Sequence, residues 1–516
     1  MAAPRAIINS QAREFYLPAH EGLAALIPET RDVVIHGDNL MAFPHTTDVT
    51  RLARNFGFIV PAPIINQYPW PVSPAPFQTQ KTTAALLTMN ARAYVLSEMG
   101  TGKTRAALFA CDHMIQNNEI KRVLVAAPLS TLSQVWDREI FQYFNHLSVG
   151  VIYGTRERRE EQLTKEHHFY VINHDGVGVV LNELMLMKFD VVIVDEIGCF
   201  RNARTDRWRN MFAIVKDAPY AWGMTGSPTP NTPVDAWGIA KMLTPSRATQ
   251  YKKSFQRKTM TQITQFRWIA KPDANDHVYA MLQPAVRYKR DDCLELPDVS
   301  YVTTKIEQSK SLQKVYDQLF KKLKVGFKEG WVTAANEGVV FMKLMQIACG
   351  WVYTTEKGVV SLDNRKRVQE VVDLYDASAG KVIVFACFKH AAQELHKRML
   401  KKKIDCVLVT GDTPKPVRDE IFGVFQTSPE KSMIVAHPQC MSHGLTLTAA
   451  NTIIWFTPTT SLETYEQACA RIQRPGQKRK SLIIHLTGSA IETKIYSRLR
   501  QKASVQGALL DMFDDN

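Results

Sequence analysis

The stretch Ala93-Tyr94-Val95-Leu96-Ser97-Glu98-Met99-Gly100-Thr101-Gly102-Lys103-Thr104, running on into Arg105-Ala106-Ala107-Leu108-Phe109-Ala110, constrains this chain more than any other. An apolar run, a Gly-containing turn and a helical pattern follow one another, which predicts a strand, a loop and a helix. That order builds a phosphate cradle. Gly100 and Gly102 permit backbone conformations and close approaches that a side chain would obstruct. The N–H groups of the loop, Thr101 included, and the positive end of the helix dipole then face the anion. Lys103 is placed to reach the β- and γ-phosphates of a nucleotide, and the Thr104 hydroxyl to bind Mg²⁺. The general pattern G-x-x-x-x-G-K-[ST] has a glycine where this chain has Ser97, which fits if the first turn of the loop needs no positive φ.

From 119 to about 250, strand patterns alternate with helical ones, the signature of a parallel α/β sheet. Val123–Ala127 and Tyr170–Asn173 read as buried strands, with Ser130 and Trp136 shortly after the first. Val191-Val192-Ile193-Val194 ends in Asp195-Glu196, which sets two carboxylates at the carboxyl end of a strand, where open α/β sheets bind ligands. In this reading Asp195 is the Mg²⁺ carboxylate and Glu196 the base that orients attacking water. Thr225 and Ser227 follow the next strand pattern, as small hydroxyl residues able to relay changes at the γ-phosphate. Upstream, Phe77 and Gln80 open a helix, and a glutamine amide suits the adjacent N6 and N7 of adenine.

At 516 residues the chain is expected to hold two to four domains, at roughly 150 residues each. Its 45% hydrophobic and 22% charged residues describe a soluble globular protein. No uninterrupted run of about 18 apolar residues appears, so nothing is expected to span a membrane. The N-terminus lacks the apolar core of a secretory signal, and a cytosolic protein is the expectation. The eight cysteines are scattered without a C-x-x-C pair, against both a zinc ribbon and a disulfide framework. Lys+Arg exceed Asp+Glu by 64 to 50, a net charge of +14 that suits a binder of phosphate backbones.

Residues 1 to about 60 read as a small α+β appendage. The six prolines from Pro61 to Pro76 predict an extended connector. Between about 240 and 375, basic groups (Lys252-Lys253, Arg257-Lys258, Arg287, Lys289-Arg290) precede amphipathic helical patterns. Spacing does not say which of them line a nucleic-acid path. A second α/β set follows, with strand patterns at 381–385, 406–410, 433–436 and 452–456. In Gln467–Gln477, Gln467, Arg471 and Arg474 fall at i, i+4 and i+7, one stripe of a helix closed by Pro475. Two arginines on that face with no acid nearby call for an external anion.

In their order these segments resemble the Swi/Snf branch of the superfamily-two helicases and translocases, over roughly residues 75–500. Gln80 looks like the adenine-reading Q motif, Glu98–Thr104 like motif I, and Ala127-Pro128-Leu129-Ser130 with Trp136 like motif Ia. Asp195-Glu196 is similar to the Walker B pair, and Thr225-Gly226-Ser227-Pro228 with Asn231 to motif III. Arg287-Tyr288-Lys289-Arg290 through Leu296-Pro297 looks like the link into a second lobe. Ser442-His443-Gly444-Leu445-Thr446-Leu447 resembles motif V, and Gln467–Gln477 motif VI. The family usually reads Asp-Glu-Ala-His where this chain has Ile197-Gly198 after the acidic pair, and Gly198 has no side chain to offer motif VI. The compact form looks most like phage-encoded members, which implies a host-cytoplasmic protein.

The resemblance implies an α/β fold of two RecA-like parallel-sheet lobes in tandem behind the α+β appendage. The expected division is 1–74 appendage and connector, 75–250 first lobe, 251–375 linker and helical insertion, 376–500 second lobe, and 501–516 an acidic tail. It implies ATP with Mg²⁺, held by Gln80, Gly100 to Thr104 and Gln467. Lys103, Asp195 and Glu196 would act with Arg471 and Arg474 as arginine fingers, and Ser130, Thr225, Ser227, His443 and Gly444 would couple the nucleotide to DNA. The expected partner is duplex, forked or branched DNA gripped by its phosphates, with a monomer as the active form. The activity implied is an ATP-dependent DNA helicase or translocase of replication, recombination or repair. Two alternatives stand beside it: the motor subunit of a restriction or nuclease complex, and an ATP-binding nucleic-acid scaffold without a motor cycle.

Overall fold

The computed structural model describes residues 4–230, 232–263, 268–289, 293, 297–328, 334–353, 359–441, 446–474 and 476–501. The chain divides into two compact units. One comprises Met1–Pro228, Pro233–Thr259 and Lys271–Cys293, and the other Thr229–Thr232, Met260–Ala270 and Leu294–Asn516.

The first unit is built on a seven-stranded parallel sheet. Its order is Ala285–Val286, Arg92–Val95, Tyr220–Met224, Val191–Asp195, Val123–Ala127, Phe169–Asn173 and Val149–Ile152. Every residue of Val123–Ala127 and Val191–Asp195 is buried, because helices cover both faces. Alternate side chains feed two separate cores. Leu124, Ala126, Val192 and Val194 enter one, and Val123, Val125, Val191 and Ile193 the other.

The appendage is a four-stranded antiparallel sheet in the order Ile7–Asn9, Glu14–Pro18, Asp38–Pro44, Arg31–Ile35. Phe15, Leu17, Phe43 and Ala53 give it its own core. The proline-rich connector is not extended throughout, as its composition predicts. Pro63–Gln67 is a short helix with Pro63 in its first turn, where a missing N–H is no loss.

The second unit carries a six-stranded parallel sheet in the order Val299–Lys305, Ser481–Thr487, Ala450–Trp455, Lys381–Phe385, Met433–Ala436, Cys406–Val409. A buried Arg367 ties the helix Arg365–Ala377 to this sheet. It donates to Glu492 Oε1 (2.6 Å) and to the carbonyls of Phe456, Leu486 and Ala348. Within 251–375, read from the sequence as linker and helical insertion, Ala285–Val286 and Val299–Lys305 each form an edge strand of a large sheet. One is too short, and the other too rich in hydroxyl side chains, to stand out as an apolar run. Among the described residues, no helix is long and apolar enough to cross a membrane.

Candidate active site

Three neighbouring strands of the first unit end side by side: Arg92–Val95, Tyr220–Met224 and Val191–Asp195. Their registers align Val95, Met224 and Asp195, so the phosphate loop, Thr225 and Glu196 all begin at one edge. Residues distant in sequence thereby meet.

The loop runs from Leu96 to Gly102, and the helix Lys103–Gln116 starts at Lys103. Positive φ falls on Gly100 (86°) and Gly102 (77°) and not on Ser97, so the first turn accepts a serine. The Ser97 hydroxyl oxygen accepts the Tyr288 N–H (3.1 Å), and the Glu98 N–H reaches the Tyr288 carbonyl (2.9 Å). The stretch around Arg287, expected to lead out of this lobe, therefore braces the loop from its flank. Thr101 spends its hydroxyl on the Glu98 carbonyl (2.9 Å). The Lys103 ammonium lies on the carbonyls of Ser97 (2.9 Å) and Glu98 (3.1 Å), inside the turn.

Gln80 is buried. Its Oε1 accepts the Phe77 N–H (2.9 Å) and its Nε2 donates to the Gly102 carbonyl (3.2 Å). Its amide, expected to read adenine, here clamps the start of the helix Gln78–Met89 to the phosphate loop. A Cβ on Gly102 would fall 2.2 Å from Gln80 Nε2 and displace that amide, and the positive φ of 77° would strain any other residue there.

Asp195 is buried beneath the loop. Its Oδ2 accepts the Trp136 indole N–H (3.0 Å), and its Oδ1 accepts the Glu196 N–H (3.1 Å). Burial, and then the neighbouring Glu196 charge, raise its carboxyl to about 6, opposed by the Trp136 bond and the Lys103 charge. Glu196 holds a left-handed backbone (φ 50°), a strain of about 1–2 kcal/mol for a non-glycine. Its Oε2 accepts the Thr225 hydroxyl (3.3 Å), which also receives the Ser227 N–H (3.3 Å). A Cβ on Gly198 would stand 3.5 Å from both Thr225 Oγ1 and the Ser227 carbonyl, so the side chain missing there would have faced this pair.

Sequence reasoning places Trp136 near the site but not against Asp195, and it does not single out His174. Trp136 lies on a π-helical turn, Leu132–Asp137, which aims its indole at Asp195. His174 Nε2 contacts the Asp195 carbonyl (2.8 Å) and fixes the strand end. Trp136→Phe keeps the ring and removes the donor. It is expected to cost about 1.5–3 kcal/mol, the worth of a hydrogen bond to a charged group, measured by denaturant unfolding. Unchanged stability would mean that the bond is not made.

The residues present fit a nucleotide with its metal. The loop offers N–H groups around a turn whose positive φ at Gly100 and Gly102 favours glycine, Lys103 supplies a cation, and Asp195 and Thr104 supply oxygen donors of the kind Mg²⁺ prefers. Ser130 is half-buried in the turn Leu129–Thr131.

In the second unit the expected stripe of Gln467, Arg471 and Arg474 does not form, because the helix Leu462–Cys469 ends before the arginines. Gln477 is buried beyond the arginines. Its Nε2 donates to the carbonyls of Ile472 (2.9 Å), Ala450 (2.8 Å) and Thr448 (3.3 Å). Gln467 is buried, with its Nε2 on Glu463 Oε1 (3.1 Å). Arg471 is fully buried, and Arg474 is half-buried with Nη1 3.4 Å from Thr446 Oγ1. His443 and Gly444, with Ser442 and Leu445, lie outside the described residues, as do Asn231, Pro475 and the tail beyond 501.

A model of the SNF2-related domain matches residues 84–349, and one of the helicase conserved C-terminal domain matches residues 365–476. The chain is similar to protein p41 of Acyrthosiphon pisum secondary endosymbiont phage 1, 23% identical over 454 residues that cover 81% of this chain and 94% of that one. It is similar to the uncharacterized ATP-dependent helicase MG018 of Mycoplasma genitalium, 23% identical over 78% of this chain and 39% of that protein. Against the DNA annealing helicase and endonuclease ZRANB3 of Bos taurus it is 23% identical, over 84% of this chain and 40% of that protein. The chain thus spans about two fifths of the length of these last two.

Proposed function

The chain belongs to the SNF2-related family of the superfamily-two helicases, a family of DNA-dependent ATPases, and from that membership we propose that it is a motor that hydrolyses ATP to move along duplex or branched DNA. The observation that carries this reading is the convergence of Lys103, Asp195 and Glu196 at one edge of the first unit's sheet.

In the proposed cycle the loop N–H groups and Lys103 hold the β- and γ-phosphates, and Gln80 keeps the loop in register with its flanking helix. Mg²⁺, when bound by Thr104 and Asp195, neutralises phosphate charge. Glu196 orients a water and takes its proton as the water oxygen bonds to the γ-phosphorus and ADP leaves with the electrons of the broken bond. Thr225, bonded to Glu196, passes the loss of the γ-phosphate to Ser227 and the chain beyond it. Arg471 and Arg474 of the second unit supply guanidinium charge to the transferred phosphoryl group. A motor that travels along any sequence grips phosphates and not base edges, so binding falls steeply with salt. The similarity to p41, a phage protein matched over 94% of its length, supports a phage setting, in which such a motor would serve replication, recombination or repair.

The test is phosphate release in the presence of single-stranded, duplex, forked and four-way DNA and of RNA, followed by strand displacement on the best substrate. Stimulation by duplex or branched DNA is expected. ATP binding without DNA-stimulated turnover would replace the motor with a scaffold.

A further inference from the structure

We propose a second nucleic-acid contact on the first unit, an exposed cationic helix that binds the phosphodiester backbone of duplex DNA independently of the nucleotide site. The helix is Lys252–Thr259. Phe255 and Thr259 face inward, and Phe255 belongs to the core beneath the large sheet. The preceding loop is pinned by the Trp237 indole N–H on the Thr249 carbonyl (2.9 Å), and Lys271 Nζ holds the Arg257 carbonyl (2.9 Å) from the other side. The helix is therefore a rigid platform.

What it presents is charge of one sign. Arg247, Lys252, Lys253, Arg257 and Lys258 are all exposed, and no acid occurs between 247 and 258. Lys253 and Arg257, four apart, sit at the centre of the outward face. None of the five forms an ion pair with a described residue. Elsewhere on this unit exposed or part-exposed arginines do find carboxylates: Arg105 with Glu139, Arg156 with Glu160 and Glu183, and Arg207 with Asp175. Here five exposed cations lie within twelve residues, and none of them is offset by an ion pair with a described residue even though the helix packs against Pro233–Asp235 and Ala274–Met281, which carry Asp235 and Asp276. Such clustering raises the local potential and costs self-repulsion, which a polyanion relieves.

The dimensions suit a duplex. Eight helical residues span about 12 Å, and B-DNA carries one charge per roughly 1.7 Å of axis, so several phosphates fall within reach. Tyr251, 64% exposed at the head of the helix, adds a polar aromatic beside the cations. No contact here depends on base edges, so the site adds affinity without sequence preference.

The inference deepens the reading of the chain as a DNA motor, but its test needs no ATP. The full chain would be titrated against a mixed-sequence duplex between about 50 and 200 mM salt. The variant with Lys252, Lys253, Arg257 and Lys258 all changed to Gln is expected to bind at least tenfold more weakly, with a log–log salt slope smaller by about 3 to 4, at about 0.9 per phosphate contact. The pairs Lys252→Gln/Lys253→Gln and Arg257→Gln/Lys258→Gln should each lose about half of that slope, which keeps the test open if the fourfold variant folds poorly. Swapping Lys for Arg and Arg for Lys at the four positions should preserve the slope, and DNA-free ATPase should be unaltered in all of them. A wild-type slope in the Gln variants, or equal loss in the swapped one, overturns the proposal. A slope that falls in a protein whose ATPase ignores DNA upholds this site and overturns the motor.

Discussion

Arg474→Ala is expected to lower DNA-stimulated ATP turnover by about 10³–10⁵-fold, the cost of removing an arginine finger, while the unfolding transition stays close to that of the unaltered chain. The second unit gains little from this guanidinium. Among the described residues its buried Nε finds no acceptor and its one hydrogen bond is the long contact to Thr446, and desolvation of the half-buried side chain pushes it down to about 10. A cation whose value is lowered on folding is held charged at neutral pH against the preference of the folded state, so the charge subtracts from stability, and alanine removes that cost. A group retained at such expense is explained by an anion that arrives with the substrate. The measurement is steady-state phosphate release with saturating DNA, alongside thermal unfolding. Turnover within about tenfold of normal would remove Arg474 from the transition state.

Glu196→Gln is expected to lower turnover by about 10²–10⁴-fold, the usual worth of a positioned base, with ATP still bound. The substitution keeps the shape of the site. A glutamine carbonyl oxygen can accept the Thr225 hydroxyl as the carboxylate does, and the backbone N–H that Asp195 holds is untouched. Only the capacity to take a proton is lost. The strained φ at Glu196 belongs to the same argument, since a left-handed backbone at a non-glycine persists where the surroundings dictate it. Nucleotide binding measured beside single-turnover phosphate release separates the two roles. Loss of binding to the same extent as turnover would make Glu196 part of the cradle and not the base.

The sheet strands best read from sequence were those that the fold buries on both faces. Val123–Ala127, the Val191–Val194 part of Val191–Asp195 and the Val382–Phe385 part of Lys381–Phe385 are uninterrupted apolar runs because helices cover them above and below. Val299–Lys305 and Ala285–Val286 escaped notice because edge strands need no such run. The stripe drawn through Gln467, Arg471 and Arg474 failed for a different reason. Periodicity measures spacing along a chain, and it registers neither the end of the helix at Cys469 nor the buried Gln477 amide that gathers the carbonyls of Thr448, Ala450 and Ile472. Gln80 shows the same limit. Its position near the loop was legible, but that its amide closes on Phe77 and Gly102 depends on how a helix packs against a turn 22 residues further on.

The sequence alone determined the chemistry that could occur: a glycine turn ahead of Lys103-Thr104, two carboxylates closing an apolar strand, and the family to which that wording belongs. Those are local properties, fixed by residue type and short spacing. Only the tertiary structure decided which groups answer one another. It set Trp136 on Asp195, Thr225 on Glu196 and Tyr288 against Ser97, and it left the cations from Arg247 to Lys258 exposed and without an ion pair among the described residues. The reason is physical: hydrogen bonds and charge fields act over a few ångströms of space, and which residues come that close is settled by packing, not by their order along the chain.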